Sequence, residues 1–410
     1  MKITFIANEM PYPPNHGGRV DIWRRIKGMH KAGVRLQFIA WQGDRPEHRA
    51  TPENISELKK YVDEVHLLTI GSNWGARIGR LLRLPRYPSL VAAMAAPALN
   101  NHVLFESVRR YEPAAVWLES IYGGPLAKRL VSTLNVPLYL RSHNIEHQYM
   151  RRQAALARSF KERIALQLNL FHLEALERGL LKQARRFYDC SYDDLLWWKS
   201  QGYDNGIFLP QTIVPEEDFS ASPEPPFQPG EFDAIFMGNL HSPNNVEGLL
   251  WFLEQVLPRV LKARPEGRIL IAGSRPKDEI RAACAHHRQI TLIPNPANST
   301  DIYLAGKVLV NPILNGSGVM VKSIEMLFFD GFLVGTQQSI YGIPPEAKAC
   351  FAVTDDARQF ADYILNFLSG KTSQNLAARR KARANYGLAP LLAALDAIRE
   401  ELQEDGRKPQ

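Results

Sequence analysis

The chain has 410 residues, 45% apolar and 22% charged, which favours two folded domains over one and excludes a disordered polypeptide. Lys and Arg exceed Asp and Glu by eight, an excess that suits anionic small molecules, a membrane surface or nucleic acid equally, so charge alone selects none of them. The longest apolar run, 90–96, is far below the roughly 18 residues of a membrane span, the apolar start at 3–7 is too short for a signal peptide, and three scattered cysteines form neither a disulfide framework nor a metal knuckle. A cytoplasmic protein is expected.

In chain order, an apolar run at 3–7 reads as a strand, followed by a loop with Gly17 and Gly18 and a helical pattern over 19–30 that Gly33 closes. Further short runs at 36–41, 65–69, 115–118 and 137–140 alternate with helical stretches, and 146–186 reads as one long helical region. Residues 220–230, SASPEPPFQPG, hold four prolines and cannot be helix or central strand, so a boundary is expected there. The alternation then resumes: strands at 234–237, 268–272, 290–293, 308–310 and 332–335, with helices at 246–261, 277–286 and 319–328. The tail from 373 is helical. The pattern predicts an α/β protein of two doubly wound, Rossmann-like lobes, 1–213 and 231–371, with helices over 372–410 returning to the first lobe. Ligands are then expected in strand-to-helix loops, facing a cleft between the lobes.

Three loops carry chemistry. In the second lobe Asn315-Gly316-Ser317-Gly318 precedes a predicted helix bearing Lys322 and Glu325. Glycines let the backbone approach an anion, a helix start offers free N–H groups, and Lys322 adds a full positive charge. Taken alone, the loop reads equally well as a Gly-rich turn whose Lys322 and Glu325 form a solvated i,i+3 pair. Gly17-Gly18 repeats the anion-binding logic in the first lobe, and the two loops together are more specific than either. The third stretch, Arg141-Ser142-His143-Asn144-Ile145-Glu146-His147, ends a predicted strand with polar groups suited to substrate hydroxyls or developing charge, the alternative being a histidine capped by local backbone. Its His143-x-x-Glu146-His147 pattern imitates an inverted zinc-peptidase motif, but a strand end does not place both histidines on one helical face. Gly316-x-Gly318-x-x-Val321 imitates a dinucleotide fingerprint without its third glycine, and no Asp-x-Asp or Gly-x-Ser-x-Gly occurs.

With these residues in view, the chain resembles the bacterial family-4 retaining glycosyltransferases of the GT-B fold. The segments NHGGRVDIWRRIKGMHKAG, LRSHNIEH, FMGNLHSPNNVEGLLWFLEQVLP, RILIAGSRP and NPILNGSGVMVKSIEML carry the resemblance, in order, over residues 1 to about 370. It implies a nucleotide-diphosphate sugar bound mainly by the second lobe, a glycan or lipid-linked acceptor bound mainly by the first, and transfer with retention, without a metal or other cofactor and without nucleic acid as a partner. Gly17 and Gly18 would approach the donor diphosphate, His143 would touch the donor sugar, Lys322 would neutralise the leaving diphosphate and Glu325 would accept from the ribose hydroxyls. Asn239, His241, Gly316, Ser317 and Gly318 would complete the donor site.

The sequence departs from the family at Ser317, where many members carry a second glutamate, at Met320, where Arg often stands, and at Asn239 and His241, where Arg is common. Those departures define the alternative expectation, a catalytically weak GT-B protein that binds or assembles components of a polysaccharide pathway. Finally, 74–86 reads WGARIGRLLRLPR, with arginines at every third position among apolar residues, a pattern that suits equally a helix lying on an anionic membrane surface and a basic helix packed by its apolar side on the first lobe.

Overall fold

The computed structural model describes residues 1–14, 17–87, 89–157, 159–316 and 318–407. It divides into two compact units, 1–212 with 388–410, and 213–387.

The first unit is built on a seven-stranded parallel sheet of β1 (Lys2–Ile6), β2 (Arg35–Gly43), β3 (Glu64–Ile70), β4 (Ala115–Glu119), β5 (Leu138–Ser142), β6 (Arg186–Asp189) and β7 (Gly206–Phe208), in the order β3-β2-β1-β4-β5-β6-β7. Every residue of β4 and β5 is buried, as befits strands covered on both faces. The two-residue period sorts them: Val116 and Leu118 enter one apolar cluster, Ala115 and Trp117 the other.

The second unit repeats the design with β8 (Phe232–Asn239), β9 (Ile269–Ser274), β10 (Ile290–Pro294), β11 (Gly306–Asn311), β12 (Phe332–Gly335) and β13 (Phe351–Val353), in the parallel order β10-β9-β8-β11-β12-β13. Val308 and Val310 face one cluster and Leu309 the other. In both units the strand order reverses beside the first strand, so the carboxyl ends of β1 and β4, and of β8 and β11, flank the two switch points.

Several boundaries differ from the sequence expectation. The helix expected over 19–30 runs Gly17–Lys31, so Gly17 and Gly18 form its first turn. The region 146–186 holds three helices, Glu146–Leu156, Phe160–Leu170 and Leu173–Gln183, and then β6. His172, with φ of 55°, breaks the run without a glycine. The helix expected over 246–261 is Pro243–Trp251, a wide π turn Phe252–Val256, and Leu257–Ala263. Pro258 explains this: its missing N–H and bulky ring leave no ordinary i−4 bond, and the Leu257 amide reaches back to Phe252.

The unit boundary falls at 212/213, and the proline-rich segment belongs to the second unit. There the Ser222 amide donates to Asp301 (2.9 Å), Asn298 donates to the Ser220 carbonyl (2.7 Å), and Phe227 packs edge-on against Phe232. The tail also divides between the units. Helix Leu376–Ala384 stays with the second unit, where the buried Arg379 guanidinium donates to the carbonyls of Phe329 (2.6 Å) and Gly331 (2.8 Å). Helix Leu388–Arg407 joins the first unit, burying Leu391, Leu395 and Ile398 among Ile26 and Met29, while Tyr139 donates to Glu401 (2.8 Å).

Candidate functional site

In the first unit, helix Gly17–Lys31 carries Asp21 and Arg25 one turn apart toward the sheet, where β4 ends on Glu119 and β5 contributes Arg141 just before His143. Arg25 pairs with Asp21 and donates through Nε to Glu119 Oε1 at 2.5 Å. Arg141 lies 3.4 Å from Asp21 and donates to the Leu209 carbonyl. The Trp117 indole also donates to Glu119, at 3.2 Å.

His143 Nε2 stands 3.3 Å from Glu119 and 3.4 Å from Asp21, and its side chain is 21% exposed whereas those of Arg25, Glu119 and Arg141 are fully buried. Burial opposes a charge on Asp21, but Arg25, then Arg141 and His143, outweigh it and hold the carboxyl far below the usual range. Burial likewise works against the Arg25 charge, and Asp21 and Glu119 overcome it, so the guanidinium titrates above its ordinary value. The result is a balanced buried quartet of two carboxylates and two guanidiniums, with a histidine at its solvent side. Such a quartet can orient an imidazole and leave its outer edge to a ligand.

The neighbouring histidine has other work. Glu177 accepts from the amides of Glu146 (2.8 Å) and His147 (3.2 Å), capping helix Glu146–Leu156, and lies 2.5 Å from His147 Nδ1. Glu146 itself accepts from Tyr122 (2.8 Å), and burial pushes its carboxyl up. His143 and His147 therefore serve separate carboxylates, and among the described residues no group of three His, Cys, Asp or Glu could hold a metal ion.

In the second unit Lys322 is the second residue of helix Val321–Met326, shorter than the expected 319–328. That helix is anchored by Asn311 donating to Ser323 (2.7 Å) and Ser323 donating to the Ser339 carbonyl (2.5 Å). Lys322 Nζ donates to Asn245 Oδ1 at 2.7 Å and sits 4.4 Å from the centre of the Phe236 ring. Asn245 in turn donates to the Asn239 carbonyl (2.9 Å), tying the lysine to the end of β8. A Cβ on Gly238 would lie 3.3 Å from Lys322 Nζ, so the glycine keeps room for the ammonium. Burial lowers the Lys322 pKa to about 7.

Around it, the Asn239 side chain accepts from the His241 amide (2.9 Å), while the His241 side chain is exposed. Gly318 takes φ of 67°, a conformation that favours glycine. A Cβ on Gly316 would lie 3.1 Å from Met320 Cε, so the Met320 side chain rests against this loop. Ser317 lies outside the described residues. Glu325 is partly exposed beside Tyr303, whose hydroxyl is pushed up by burial and by that carboxylate.

The structure thus gathers Asn239, Gly316, Gly318 and Lys322 at the switch point of the second unit, and His143 with the first turn of helix Gly17–Lys31 at that of the first. Sequence reasoning named Arg141 beside His143 but missed Asp21, Arg25 and Glu119 around it, and Asn245 and Phe236 around Lys322. Only the i,i+4 spacing of Asp21 and Arg25 left a trace in the sequence; Lys322 and Asn245 are 77 residues apart. Chemically, the second site offers a cation, backbone amides and glycine clearance, which is a set of groups for a phosphate or diphosphate.

Residues 231–370 match the family model described as glycosyl transferases group 1. Over 400 residues, 94% of each chain, the protein is 26% identical to an uncharacterized 44.6 kDa protein in the cps region of Klebsiella pneumoniae. Among solved structures it is similar to sucrose-phosphate synthase from Thermosynechococcus elongatus (TM-score 0.63, 12% identity, 99% of this chain and 100% of that one). A glycosyltransferase from Rickettsia africae gives 0.61 at 12% identity over 98% of both chains. Anabaena HepE in complex with UDP and glucose gives 0.60 at 12% identity, over 98% and 99%. The fold is accordingly the GT-B type, two Rossmann-like α/β lobes.

Proposed function

We propose that this chain is a GT-B glycosyltransferase of the family-4 kind, moving a sugar from a nucleoside-diphosphate sugar to a glycan or lipid-linked acceptor with retention of anomeric configuration. The observation that carries the reading is Lys322, desolvated on Phe236 and held by Asn245 at the β8 and β11 ends, inside the segment that matches the group 1 family model. A leaving diphosphate gains charge in the transition state, and a positioned lysine whose ammonium is restored beside the diphosphate stabilises that charge more than it stabilises the ground state.

In this reading Lys322, Asn239, His241, Gly316, Ser317 and Gly318 hold the diphosphate, Glu325 accepts from the ribose, and Gly17 and Gly18 approach the phosphates. His143 acts on the donor sugar, held in place by Asp21 and Glu119. Lys322 supplies the positive charge, so no divalent cation is required. The UDP and glucose seen in HepE support the donor class, and the cps-region relative supports an acceptor in polysaccharide assembly. No helix among the described residues is long and apolar enough to cross a membrane, and we place the enzyme in the cytoplasm at the inner membrane face.

One feature favours a second reading, that of a weakly active binding partner: Met320, an uncharged side chain, lies against the Gly316 loop. A panel of radiolabelled nucleotide sugars, with membrane and polysaccharide acceptors and with chelator, decides between them. Turnover insensitive to chelator, with the product anomer matching the donor, is expected. Tight nucleotide binding without transfer or hydrolysis of any donor would establish the binding partner instead.

A further inference from the structure

Helix Trp74–Arg83, in the first unit, is capped by Asn73, whose side chain accepts from the Ala76 amide (2.8 Å). At about 100° per residue, Trp74, Ile78, Leu81 and Leu82 fall on one stripe of the helix. In a globular protein such a stripe faces the core. Here no residue of the helix is buried, and the four side chains are 78%, 51%, 46% and 75% exposed. Arg77 lies beside the stripe, its guanidinium 6.0 Å from the Trp74 ring, and Arg80 and Arg83 lie on the opposite face. Among the described residues, Arg77 and Arg83 form no ion pair, so both keep their charge.

The chain continues from this helix into the wall of a cavity of about 680 Å³, lined on its polar side by Arg86, Lys128, Arg129 and His172 and on its apolar side by Leu84 and Leu99, among others. No acidic side chain lines it among the described residues. Lys128 is half-buried there, and burial pushes its ammonium down, a cost that an anion would relieve.

We propose that helix Trp74–Arg83 is an interfacial anchor that lays its apolar stripe into an anionic bilayer, and that the adjoining cavity takes the phosphate of a lipid headgroup. Charge argues against a second copy of this chain as the occupant, because a symmetric contact would bring two sets of arginines together. An apolar stripe with Trp on one face and arginines beside it and on the polar face instead match both the acyl boundary and the phosphates of a bilayer. The purpose of the anchor, delivery of a lipid-linked acceptor, rests on the transferase reading; the binding itself does not.

Flotation of the full chain with vesicles of phosphatidylglycerol in phosphatidylcholine, against phosphatidylcholine alone, tests the proposal. Binding is expected only with the anionic vesicles, weakening on going from about 50 mM to about 1 M salt. W74E/L82E alters only exposed side chains and should weaken partition roughly tenfold or more, and K128E/R129E should do the same by removing phosphate contacts. The proposal is overturned by absence of binding at low salt or by unchanged binding of W74E/L82E. It is also overturned by a dimer in sedimentation that W74E/L82E disperses without any vesicle binding, or by inorganic phosphate protecting 128–129 from hydrogen exchange while vesicles do not bind. Calorimetry with UDP runs beside these assays. Normal UDP affinity without vesicle binding sinks the anchor alone, and vesicle binding without UDP affinity sinks the donor reading alone.

Discussion

His143 and Arg25 share one cluster but do different things in it. Arg25 is fully buried between Asp21 and Glu119, so Arg25→Met would leave two buried carboxylates facing one guanidinium. That imbalance should cost about 3–5 kcal/mol of stability, read by chemical denaturation. His143 sits at the wet side of the same cluster, and removing it leaves the four buried charges balanced. His143→Ala should therefore lower turnover by roughly 100-fold or more while barely moving the melting temperature. A variant that melts early yet turns over normally per folded molecule would assign His143 to structure.

Lys322 gives a proton signature at the same scale. Its folded pKa of about 7 is below the ordinary 10.5, so between those values the unfolded chain holds a proton that the folded chain has lost. Stability then rises with pH through that window, and below it the full penalty is present; Lys322→Met should flatten this part of the profile. A bound diphosphate restores the ammonium, so nucleotide binding at pH 8 should take up as much as about one proton, seen by calorimetry in two buffers of different ionisation enthalpy. Uptake that persists in Lys322→Met would move the signal to another group.

Among the elements, the last helix has the largest structural consequence. Leu391, Leu395 and Ile398 are fully buried in the first unit, and Gly28 leaves room for Leu391, whose Cδ2 would lie 2.6 Å from a Cβ there. Leu391→Ala should destabilise that unit by about 2–5 kcal/mol, comparable to much of a domain's stability, and expose its helix Gly17–Lys31 to protease. By contrast, helix Val321–Met326 is a short element fixed by Ser323 rather than by its own length. Ser323→Ala should loosen Lys322 and weaken nucleotide affinity without unfolding the second unit, which calorimetry and near-UV dichroism would report together.

For the whole molecule, two units with separate cores imply that a ligand of one need not protect the other. UDP at about 100 times its dissociation constant should stabilise the second unit by about 2.7 kcal/mol. Hydrogen exchange should slow at 236–247 and 315–326 and remain unchanged in helix Leu388–Arg407. Slowing confined to the first unit would relocate the nucleotide site.

The sequence by itself determined the fold class, because parallel strands covered on both faces must be short continuous apolar runs, and these were legible in nearly every long strand. It missed β6, β7 and β13, which have four, three and three residues; β12 is no longer than β6 but was legible because Phe332, Leu333 and Val334 run continuously apolar, whereas β6 starts on Arg186 and ends on Asp189. It also singled out His143, Lys322 and the glycine loops, since glycine and charge at strand ends are local signals. What only tertiary structure decided is the company these residues keep. Asp21, Arg25, Glu119 and Arg141 meet because β1, β4 and β5 lie side by side, and Asn245 and Phe236 meet Lys322 because β8 and β11 are neighbours. In those meetings Arg25, Arg141 and His143 hold the Asp21 carboxyl down against its burial, and burial lowers Lys322 to about 7. Desolvation and pairing are properties of three-dimensional neighbours, and beyond the i,i+4 spacing of Asp21 and Arg25 the linear chain carries no trace of them.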